Sequence, residues 1–395
     1  MSIKLSSRVQ AVKPSPTLAI TARAAALRAE GKDVIGLGAG EPDFDTPEHI
    51  KDAARKAIAA GKTKYTPVDG TPSLKQAVMD KFRRDNGLDY AADQILVSCG
   101  GKQSFYNLAQ AILDPGDEVI IPAPYWVSYP DMSILAGGEP VLVHAGDDQQ
   151  FKISPAQLRG AITDKTRLVV INSPSNPTGM AYTADELGAL GEVLRDFPKV
   201  AIATDDMYEH IRWNTQVPFV NILNVCPDLT DRTLVLNGVS KAYSMTGWRI
   251  GYAGGPAEVI KAMKKIQSQS TSNPTSISQY AAEAALNGPQ DCIDEMLVQF
   301  KKRHDYVVER LNGIPGIDCL PTDGTFYVFP SVKGLIDALD GVNDDLQLAE
   351  HLIVNAGVAL VPGTAFGTPG HVRISIATSM ENLENALGRI ETVAG

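Results

Sequence analysis

Two cationic side chains, Lys241 and Arg249, stand eight residues apart in the segment SKAYSMTGWRIG, shortly after the apolar run Thr233–Leu236. A lysine at the mouth of a sheet is partly desolvated, and its amine can form a Schiff base with an aldehyde cofactor. A neighbouring arginine offers a planar fork of donors that suits a phosphate. Most lysines are solvated surface residues, so Lys241 alone carries little weight. The pair indicates a phosphorylated aldehyde only if other residues suited to the same ligand occur in the chain.

A second candidate is the turn NSPSNPTG, Asn172–Gly179, which follows the β-branched and apolar run Leu168–Ile171. Asn176 precedes Pro177, so its backbone is pushed out of helical geometry and its amide can face the end of the strand. Such an amide can donate to a phenolate oxygen or to a substrate carboxylate. A turn without any ligand is the more common outcome for an Asn-Pro pair.

A third candidate is DDMY, Asp205–Tyr208, directly after the apolar run Val200–Ala203 and one further residue. A carboxylate at the end of a strand can pair with a protonated pyridine nitrogen, and the cationic ring then drains charge from a carbanion. Tyr208 can reach the phenolic oxygen of the same ring. Asp206 competes with Asp205 for this role, because adjacent strand residues point to opposite faces and spacing does not choose between them. A pair of solvated loop acids is the alternative.

The fourth candidate is CGGKQ, Cys99–Gln103, between a strand-like run at Gln94–Ser98 and a predicted helix at Ser104–Leu113. A Gly-Gly turn that opens a helix presents free backbone N–H groups and the positive end of the helix dipole, which suits an anion. The signal is weak alone, since Gly-Gly also makes plain turns. Together the four segments indicate an aromatic aldehyde that carries a phosphate.

The chain resembles the class I aminotransferases of fold type I, which bind pyridoxal 5′-phosphate (PLP). Within them it is similar to the bacterial aspartate aminotransferase subgroup, some members of which also accept prephenate. The segments KTKYTP, GGKQ, PYWVSYP, SPSNPTG and SKAYSMTGWRIGY occur in the family's order, and the resemblance runs from LSSRVQAVKPS to HVRISIATS. It implies amino transfer between aspartate or glutamate and a 2-oxo acid, by a ping-pong mechanism through pyridoxamine phosphate.

The resemblance also implies roles around the cofactor ring. Lys241 is the Schiff-base lysine and proton carrier, and Asp205, rather than Asp206, pairs with the pyridine nitrogen. Tyr208 and Asn176 contact the phenolic oxygen of the ring, and Trp126 stacks on the ring.

The same resemblance implies how the phosphate is bound. Gly101 and Lys102 contact it through their backbone. The side chain of Arg249 and that of Tyr65 from a neighbouring subunit contact it as well. The family often has a hydroxyl residue three positions before the lysine, where this chain has Gly238. Ser240 is a weaker substitute for that donor.

Arg373 in HVRISIATS is the candidate for binding the substrate's α-carboxylate. Alternation places it on the strand face opposite to its two apolar neighbours, and its guanidinium can grip a carboxylate with two parallel bonds. A solvent-facing strand arginine is the alternative. The resemblance implies the carboxylate role, with help from Asn176, from Trp126 and from the backbone at Gly40.

The residue that binds a distal carboxylate is less clear from the sequence. The subgroup uses an N-terminal segment, here Val12–Ala24, in which Lys13 is the candidate cation. Ser15 and Thr17 are its candidate polar helpers. A solvated terminal lysine is the alternative for Lys13.

Composition excludes several classes of protein. The 395 residues suffice for two domains, and 44% hydrophobic with 21% charged residues is ordinary for a globular chain. The net charge of −10 does not indicate a nucleic-acid partner. The four cysteines lack metal-ligand spacing, so no metal site is expected. No apolar leader or membrane-length run occurs, and a cytoplasmic enzyme of small-molecule substrates is expected.

Helical and strand-like patterns alternate from about Thr46 to Leu286, which predicts an α/β layer with a mostly parallel sheet. The helix candidates are Pro47–Ala60, Thr71–Asn86 and Ala184–Phe197. The buried strand candidates are Glu118–Ile121, Leu168–Ile171, Val200–Ala203 and Thr233–Leu236. Ligands of such sheets bind beyond the carboxyl ends of the strands, and three candidate residues follow strand candidates.

The predicted architecture is a large PLP-binding domain over residues 46–288, with the seven-stranded type of sheet that the resemblance implies. Residues 1–45 and 289–395 form a smaller α+β domain with an N-terminal arm. It contains a long helix at Asp291–Leu311 and short strands around Thr325–Phe329 and Val372–Ile376. The site is expected between the domains, in a homodimer with shared active sites, because Tyr65 acts across the interface.

Two other functions remain open at this point. A PLP lyase of the same fold would share Lys241 and Arg373, since the chemistry diverges only after a common carbanion forms. A PLP-binding regulator would need a DNA-binding domain, for which the chain leaves no room before the arm. Release of ammonia or a thiol would identify the lyase.

Overall fold

The computed structural model describes residues 3–14 and 16–395. The strands, in chain order, are β1 (Ile35–Gly36), β2 (Ile95–Ser98), β3 (Glu118–Ala123), β4 (Glu139–His144), β5 (Thr166–Asn172), β6 (Ala201–Asp205), β7 (Thr233–Gly238), β8 (Gly251–Gly254), β9 (Tyr327–Val328), β10 (Val358–Ala359), β11 (Val361–Pro362) and β12 (Val372–Ser375). The first helices are α1 (Ser7–Ala11), α2 (Pro16–Ala29), α3 (Glu48–Ala59), α4 (Pro72–Lys81), α5 (Gly101–Ile112), α6 (Ser128–Leu135), α7 (Pro155–Ala161) and α8 (Ala184–Arg195). The later ones are α9 (Ile222–Val225), α10 (Ala257–Ser270), α11 (Ser276–Asn287), α12 (Asp291–Asn312), α13 (Lys333–Ala338), α14 (Asp345–His351) and α15 (Met380–Ala394).

A seven-stranded sheet in the order β2-β8-β7-β6-β5-β3-β4 forms the centre of the fold. Its strands run parallel except β8, which pairs antiparallel with both β2 and β7. The α/β fold with a mostly parallel sheet is therefore confirmed. The sequence did not predict β4 or β8, because β4 carries exposed positions and β8 is glycine-rich.

The central strands are apolar on both faces because helices cover both sides of the sheet. In β5, Leu168 and Val170 join a core cluster with α5, α6 and α10, while Val169 and Ile171 join another with α3, α4, α8 and α11. Continuous β-branched runs are typical of such parallel strands. In register, Asn172 lies opposite Asp205, and Asp205 opposite Leu236. The carboxyl ends of β5, β6 and β7 therefore meet at one edge.

Three predicted elements begin or end differently in the structure. The helix predicted at Ser104 begins at Gly101, because Gly100 with φ +89° acts as its N-cap and leaves the next residue free to start the helix. The strand predicted over Thr325–Phe329 is shortened to β9, since Thr325 has φ +66°. The helix predicted to Asn86 ends as α4 at Lys81 and continues as one wider turn.

The C-terminal part contains smaller sheets and a long helix. Strand β1 pairs parallel with β10, and β12 lies between β11 and β9 in an antiparallel sheet. Helix α12 buries Ile293, Met296, Phe300 and Val307, spaced three, four and seven residues apart, so one stripe faces the core. The predicted domain boundaries at residues 46 and 289 stay predictions. Within residues 3–14 and 16–395, no helix has both the length and the apolar character needed to cross a bilayer.

Candidate active site

A cavity of about 470 Å³ lies beyond the carboxyl ends of β5, β6 and β7. The charged residues that were predicted from the sequence and that line this cavity are Lys102, Asp205, Lys241, Arg249 and Arg373. Its other predicted residues are Gly40, Gly101, Trp126, Asn176, Tyr208 and Thr17. The structure thus brings segments from across the sequence into one space.

Lys241 reaches this cavity from the loop after β7, which ends three residues earlier at Gly238. Its amine donates a hydrogen bond to the carbonyl oxygen of Gly40 and has no carboxylate partner among its hydrogen bonds. Burial, followed by the positive charge of Arg373, lowers the pKa of Lys241 from 10.5 to about 8. An amine in this environment is neutral, and so nucleophilic, far more often than a surface lysine.

Asp205 and Asp206 point in opposite directions. Asp205, the last residue of β6, lines the cavity, and its Oδ2 accepts a hydrogen bond of 2.5 Å from the Tyr129 hydroxyl. Asp206 is fully buried away from the cavity, where it accepts hydrogen bonds from Thr204 at 2.6 Å and Asn221 at 2.9 Å. The alternation that left the choice open in the sequence places Asp205 in the cavity.

The environment of the Asp205 carboxyl favours a positively charged partner. Burial raises its pKa, while the Tyr129 hydroxyl, the backbone N–H of Met207 and the charge of Lys241 act in the opposite direction. A desolvated carboxyl whose pKa rises is one that gains from a positively charged partner. A protonated ring nitrogen that faces Asp205 from the cavity would be such a partner.

An anion cradle forms where α5 begins. Gly101 opens the helix, and Arg249 lies beside it with Nη1 donating to the Thr246 carbonyl at 2.8 Å. Gly100 and Gly251 leave no room for a side chain. A Cβ on Gly100 would lie 2.5 Å from Arg249 Nη2, and a Cβ on Gly251 would lie 2.3 Å from the Gly101 nitrogen. Backbone N–H groups, the helix dipole and a guanidinium therefore converge on one spot.

The absence of a hydroxyl residue at position 238 has a steric reason. A Cβ on Gly238 would lie 3.0 Å from the Ile250 carbonyl oxygen and 3.1 Å from the Gly251 Cα on β8. Any side chain there would push the two strands apart. Ser240, the substitute donor considered from the sequence, is buried and lines the cavity.

Arg373 is buried on β12, with only 2% of its surface exposed. Its Nη1 donates to Asn176 Oδ1 at 3.0 Å and its Nη2 to the Gly38 carbonyl at 2.8 Å. Its guanidinium carbon lies 4.3 Å from the ring centre of Tyr327, and its Nε, which is also buried, has no hydrogen-bond partner among the described residues. A buried cation with an unused donor is suited to a carboxylate.

Trp126 and Lys102 face each other across the cavity mouth. The Lys102 amine lies 5.2 Å from the centre of the Trp126 ring, and burial followed by the charge of Arg249 lowers its pKa. The sequence predicted only a backbone role for Lys102. Its side chain also lines the cavity.

Not all of the other residues predicted from the sequence line the cavity. Lys13 is exposed, beside Asp131, and does not line the cavity, whereas Thr17 does. Ser15 lies outside the described residues. Tyr65 is 91% exposed and is not part of the cavity wall of a single chain. The roles of Lys13 and Tyr65 stay predictions.

A family model described as aminotransferase class I and II matches residues 32–390. The chain belongs to this aminotransferase family. The predicted resemblance is thereby confirmed, and the family's transaminase activity takes precedence over the lyase and regulator alternatives.

Relatives and solved structures of aminotransferases match over nearly the whole chain. An aspartate/prephenate aminotransferase of Nitrosomonas europaea is 59% identical, over 99% of this chain and 100% of its own length. An aspartate aminotransferase of Geobacillus stearothermophilus is 52% identical, over 98% of both chains. The aspartate aminotransferase structure from Rhizobium meliloti matches with a TM-score of 0.96 and 50% identity, covering 100% of this chain and 99% of the other.

Two tyrosines of this aminotransferase cavity were missed from the sequence. Tyr129, at the start of α6, stands three residues after Trp126 in PYWVSYP, and the two ring centres lie 5.1 Å apart in the cavity wall. Tyr327, in a two-residue strand, places its hydroxyl 3.1 Å from that of Tyr208 and its ring against Arg373. No sequence pattern indicates that contact, because it joins residues 119 positions apart.

Proposed function

We propose that this aminotransferase uses PLP to move the amino group between aspartate or glutamate and a 2-oxo acid, with prephenate as a second acceptor. The observation that carries the proposal is the desolvated amine of Lys241 in one cavity with Asp205, Arg249 and Arg373. Relatives named aspartate aminotransferase and aspartate/prephenate aminotransferase support the substrates.

The residues present fit PLP. The glycine-lined cradle at Gly101 and Arg249 suits a phosphate, and the Asp205 carboxyl suits a ring nitrogen that carries a proton. Lys241 suits the aldehyde, Trp126 the face of the ring, and Tyr208 with Asn176 the phenolic oxygen. Each chemical feature of PLP thus has a matching group in the cavity wall.

PLP, when bound, supplies an electron sink for the charge left on the substrate's α-carbon. The chain's residues control the protons and the geometry. With PLP bound, Lys241 Nζ would take the proton from the substrate's α-carbon and return it to the carbon that was the cofactor's aldehyde carbon, on the other side of the shared nitrogen, because its lowered pKa suits both directions. Asp205 keeps the proton on the ring nitrogen, and Arg373 orients the substrate through its α-carboxylate.

The pKa of Lys241 gives a prediction for the attachment of PLP to the cofactor-free protein. The attacking amine must be neutral, and at neutral pH its neutral fraction is roughly 10²-fold that of an ordinary lysine. We expect the attachment rate to rise with pH, to reach half of its maximum near pH 8 and to level off above that pH, which absorbance in a stopped-flow instrument measures. In Arg373→Met the plateau should move to higher pH, because a neighbouring positive charge is lost. A rate that keeps rising through about pH 10 in the parent protein would contradict the burial argument.

The distal carboxylate is best matched by the Lys102 side chain. Of the cations in the cavity wall, Lys241, Arg249 and Arg373 already have roles, which leaves Lys102. The residue is open to solvent overall while its amine is partly desolvated beside the Trp126 ring, and this amine has no carboxylate partner among the described salt bridges. Thr17, whose buried Oγ1 has no partner among the described residues, lies in the same wall and is a polar helper.

Lys102→Met should raise KM for aspartate by about 10–100-fold, since a hydrogen bond to a charged group contributes about 1.5–3 kcal/mol. Alanine, which has no distal carboxylate, should lose little by the same change. Lys13→Met is the matched comparison, because Lys13 is the cation predicted from the sequence and lies outside the cavity wall. A larger effect at Lys13 than at Lys102 would mean that the N-terminal segment closes over the substrate.

The proposed function is tested by single half-reactions, with the cofactor's absorbance followed as each amino acid converts it to the amine form. Fast and saturable conversion with aspartate and glutamate is expected. Oxaloacetate, 2-oxoglutarate and prephenate should each restore the original spectrum. Failure of prephenate alone would remove the second acceptor, and failure of every amino acid would remove the proposal.

We further propose a homodimer in which Tyr65 reaches the partner's phosphate. An exposed tyrosine in a loop outside its own cavity wall supports this arrangement. Light scattering should give twice the mass of one chain, and Tyr65→Phe should weaken PLP binding. An active monomer would contradict the shared site.

A further inference from the structure

A buried polar cluster lies behind the cavity, on the far side of the strand ends. It consists of Lys81, Asn86, Glu209 and Asn237, with exposed fractions of 1%, 4%, 3% and 2%, and is called the Glu209 cluster below. None of the four lines the cavity. The mechanism proposed above does not use them.

Glu209 is the centre of this cluster. Its Oε1 accepts hydrogen bonds from Lys81 Nζ and, at 2.7 Å, from Asn237 Nδ2, while its Oε2 accepts one of 2.5 Å from Asn86 Nδ2. Lys81 also donates to Asn86 Oδ1 at 2.6 Å. Every polar group of the cluster is therefore held by another member, with the exception of one oxygen of Asn237.

Asn237 is itself a residue of β7, the strand that leads to Lys241, so the cluster includes a side chain of that strand. Asn237 Oδ1 accepts a hydrogen bond of 2.7 Å from the backbone N–H of Gly238, the last residue of β7. On the other side, Glu209 directly follows Tyr208, which lines the cavity. Beyond the backbone pairing of β6 with β7, the hydrogen bond from Asn237 to Glu209 thus adds a side-chain tie between the segment of Tyr208 and the segment of Lys241.

We propose that Glu209 and Asn237 are positioning residues, which fix the Tyr208 hydroxyl relative to the Lys241 amine from behind the cavity. The inference rests on the proposed function, since the distance between these groups matters only if both serve the same cofactor. A chain of buried hydrogen bonds is rigid when every member is satisfied, and this is the case here.

The charges of the cluster fit this role better than a purely stabilising one. Burial acts to raise the pKa of Glu209, but Lys81, His210 and the donated hydrogen bonds outweigh it and hold the pKa below its ordinary value. Asp85 lies 3.8 Å from Lys81 and 3.4 Å from His210. A buried ion pair is often no more stabilising than well-packed apolar residues of similar volume, so the geometry that it imposes is the role we assign to it here.

The test uses Glu209→Gln and Asn237→Ala in the PLP-loaded enzyme. In Glu209→Gln the side-chain NH₂ must face another donor, and in Asn237→Ala the side-chain contact between Glu209 and β7 is lost while the backbone pairing and the Lys81 ion pair remain. Both variants should raise the midpoint of the pH titration of the lysine–cofactor absorbance by about 0.5 unit or more, because a donor to the phenolic oxygen is displaced. We expect kcat to fall about 10-fold while KM for aspartate changes less than about 3-fold.

Glu186→Gln is the control for a lysine–carboxylate pair remote from the site, because Glu186 is half-buried, pairs with the largely buried Lys152 and contacts neither segment. It should lower the thermal midpoint without moving the absorbance titration. The double variant Glu209→Gln/Asn237→Ala should be no worse at the site than the poorer single variant. If Glu209→Gln fails to fold, Asn237→Ala still decides the question.

The outcomes separate two kinds of failure. A parent protein that gives no absorbance band with PLP would overturn the proposed function. A parent with a normal band, and variants that titrate like it while losing stability as Glu186→Gln does, would overturn the positioning role alone.

Discussion

Replacing Lys241 by alanine is expected to lower kcat by about 10⁴-fold or more, because the same amine anchors the cofactor and carries the α-proton. The other amine that the described residues place in the cavity wall is that of Lys102, and it lies 5.2 Å from the centre of the Trp126 ring rather than at the Gly40 carbonyl, so it is not placed to substitute. Turnover of aspartate with 2-oxoglutarate, measured with each variant loaded with PLP, gives the magnitude. Arg373 should still bind the substrate carboxylate, so substrate affinity should change far less than kcat.

A chemical readout accompanies the rate. Borohydride reduction should fix the cofactor covalently to the parent chain at Lys241, and a peptide digest should carry the added mass there. The alanine variant should release its cofactor on unfolding after the same treatment. Near-normal turnover in the variant, or covalent attachment at another lysine, would refute the assignment of Lys241.

Asp205→Asn should lower kcat by about 10²–10³-fold, the usual range for removing one preorganised electrostatic partner of a developing charge. The amide keeps the shape and can still accept the Tyr129 hydrogen bond, but it cannot hold a proton on the ring nitrogen. KM for aspartate should change little, because Arg373 is untouched. Steady-state kinetics on the PLP-loaded variant measure both quantities.

Asp206→Asn is the matched comparison for this prediction. Asp206 is the adjacent acid, it is fully buried, and its Thr204 and Asn221 contacts lie away from the cavity. Burial and the nearby Glu209 raise its pKa to about 7, so loss of its charge costs the fold little. We expect its kcat to stay within about 10-fold of the parent value. Equal losses in the two variants would contradict the distinct roles of the two acids.

The sequence predicted most of the fold because its strongest signals are local. Buried runs such as Leu168–Ile171 and Thr233–Leu236 can satisfy their side chains only inside a covered parallel sheet, and both form central strands. The carboxyl ends of parallel strands share one edge, so the clustering of Asp205 and Lys241 also followed from the pattern. The short strands β10 and β11 did not, because two residues carry no periodicity.

The parts of the site that sequence left open depend on tertiary contacts. The Lys102 side chain could not be placed, since a lysine in a helix's first turn is usually solvated. The spacing of Asp205 and Asp206 is compatible with either facing the cavity, and only the resemblance, and then the structure, chose. The Tyr208–Tyr327 contact joins β9 to the loop after β6, which no local pattern encodes.

The backbone from Gly38 to Gly40 accepts one hydrogen bond from Arg373 and, two residues on, one from Lys241. The grip on the carboxylate and the reactivity of the amine are therefore attached to the same short piece of chain. A change that shifts this piece alters both properties together, in a fixed direction. Natural variation there is expected to change substrate affinity and turnover together, whereas Lys102, which lies on α5 and outside this segment, is free to vary with the substrate alone.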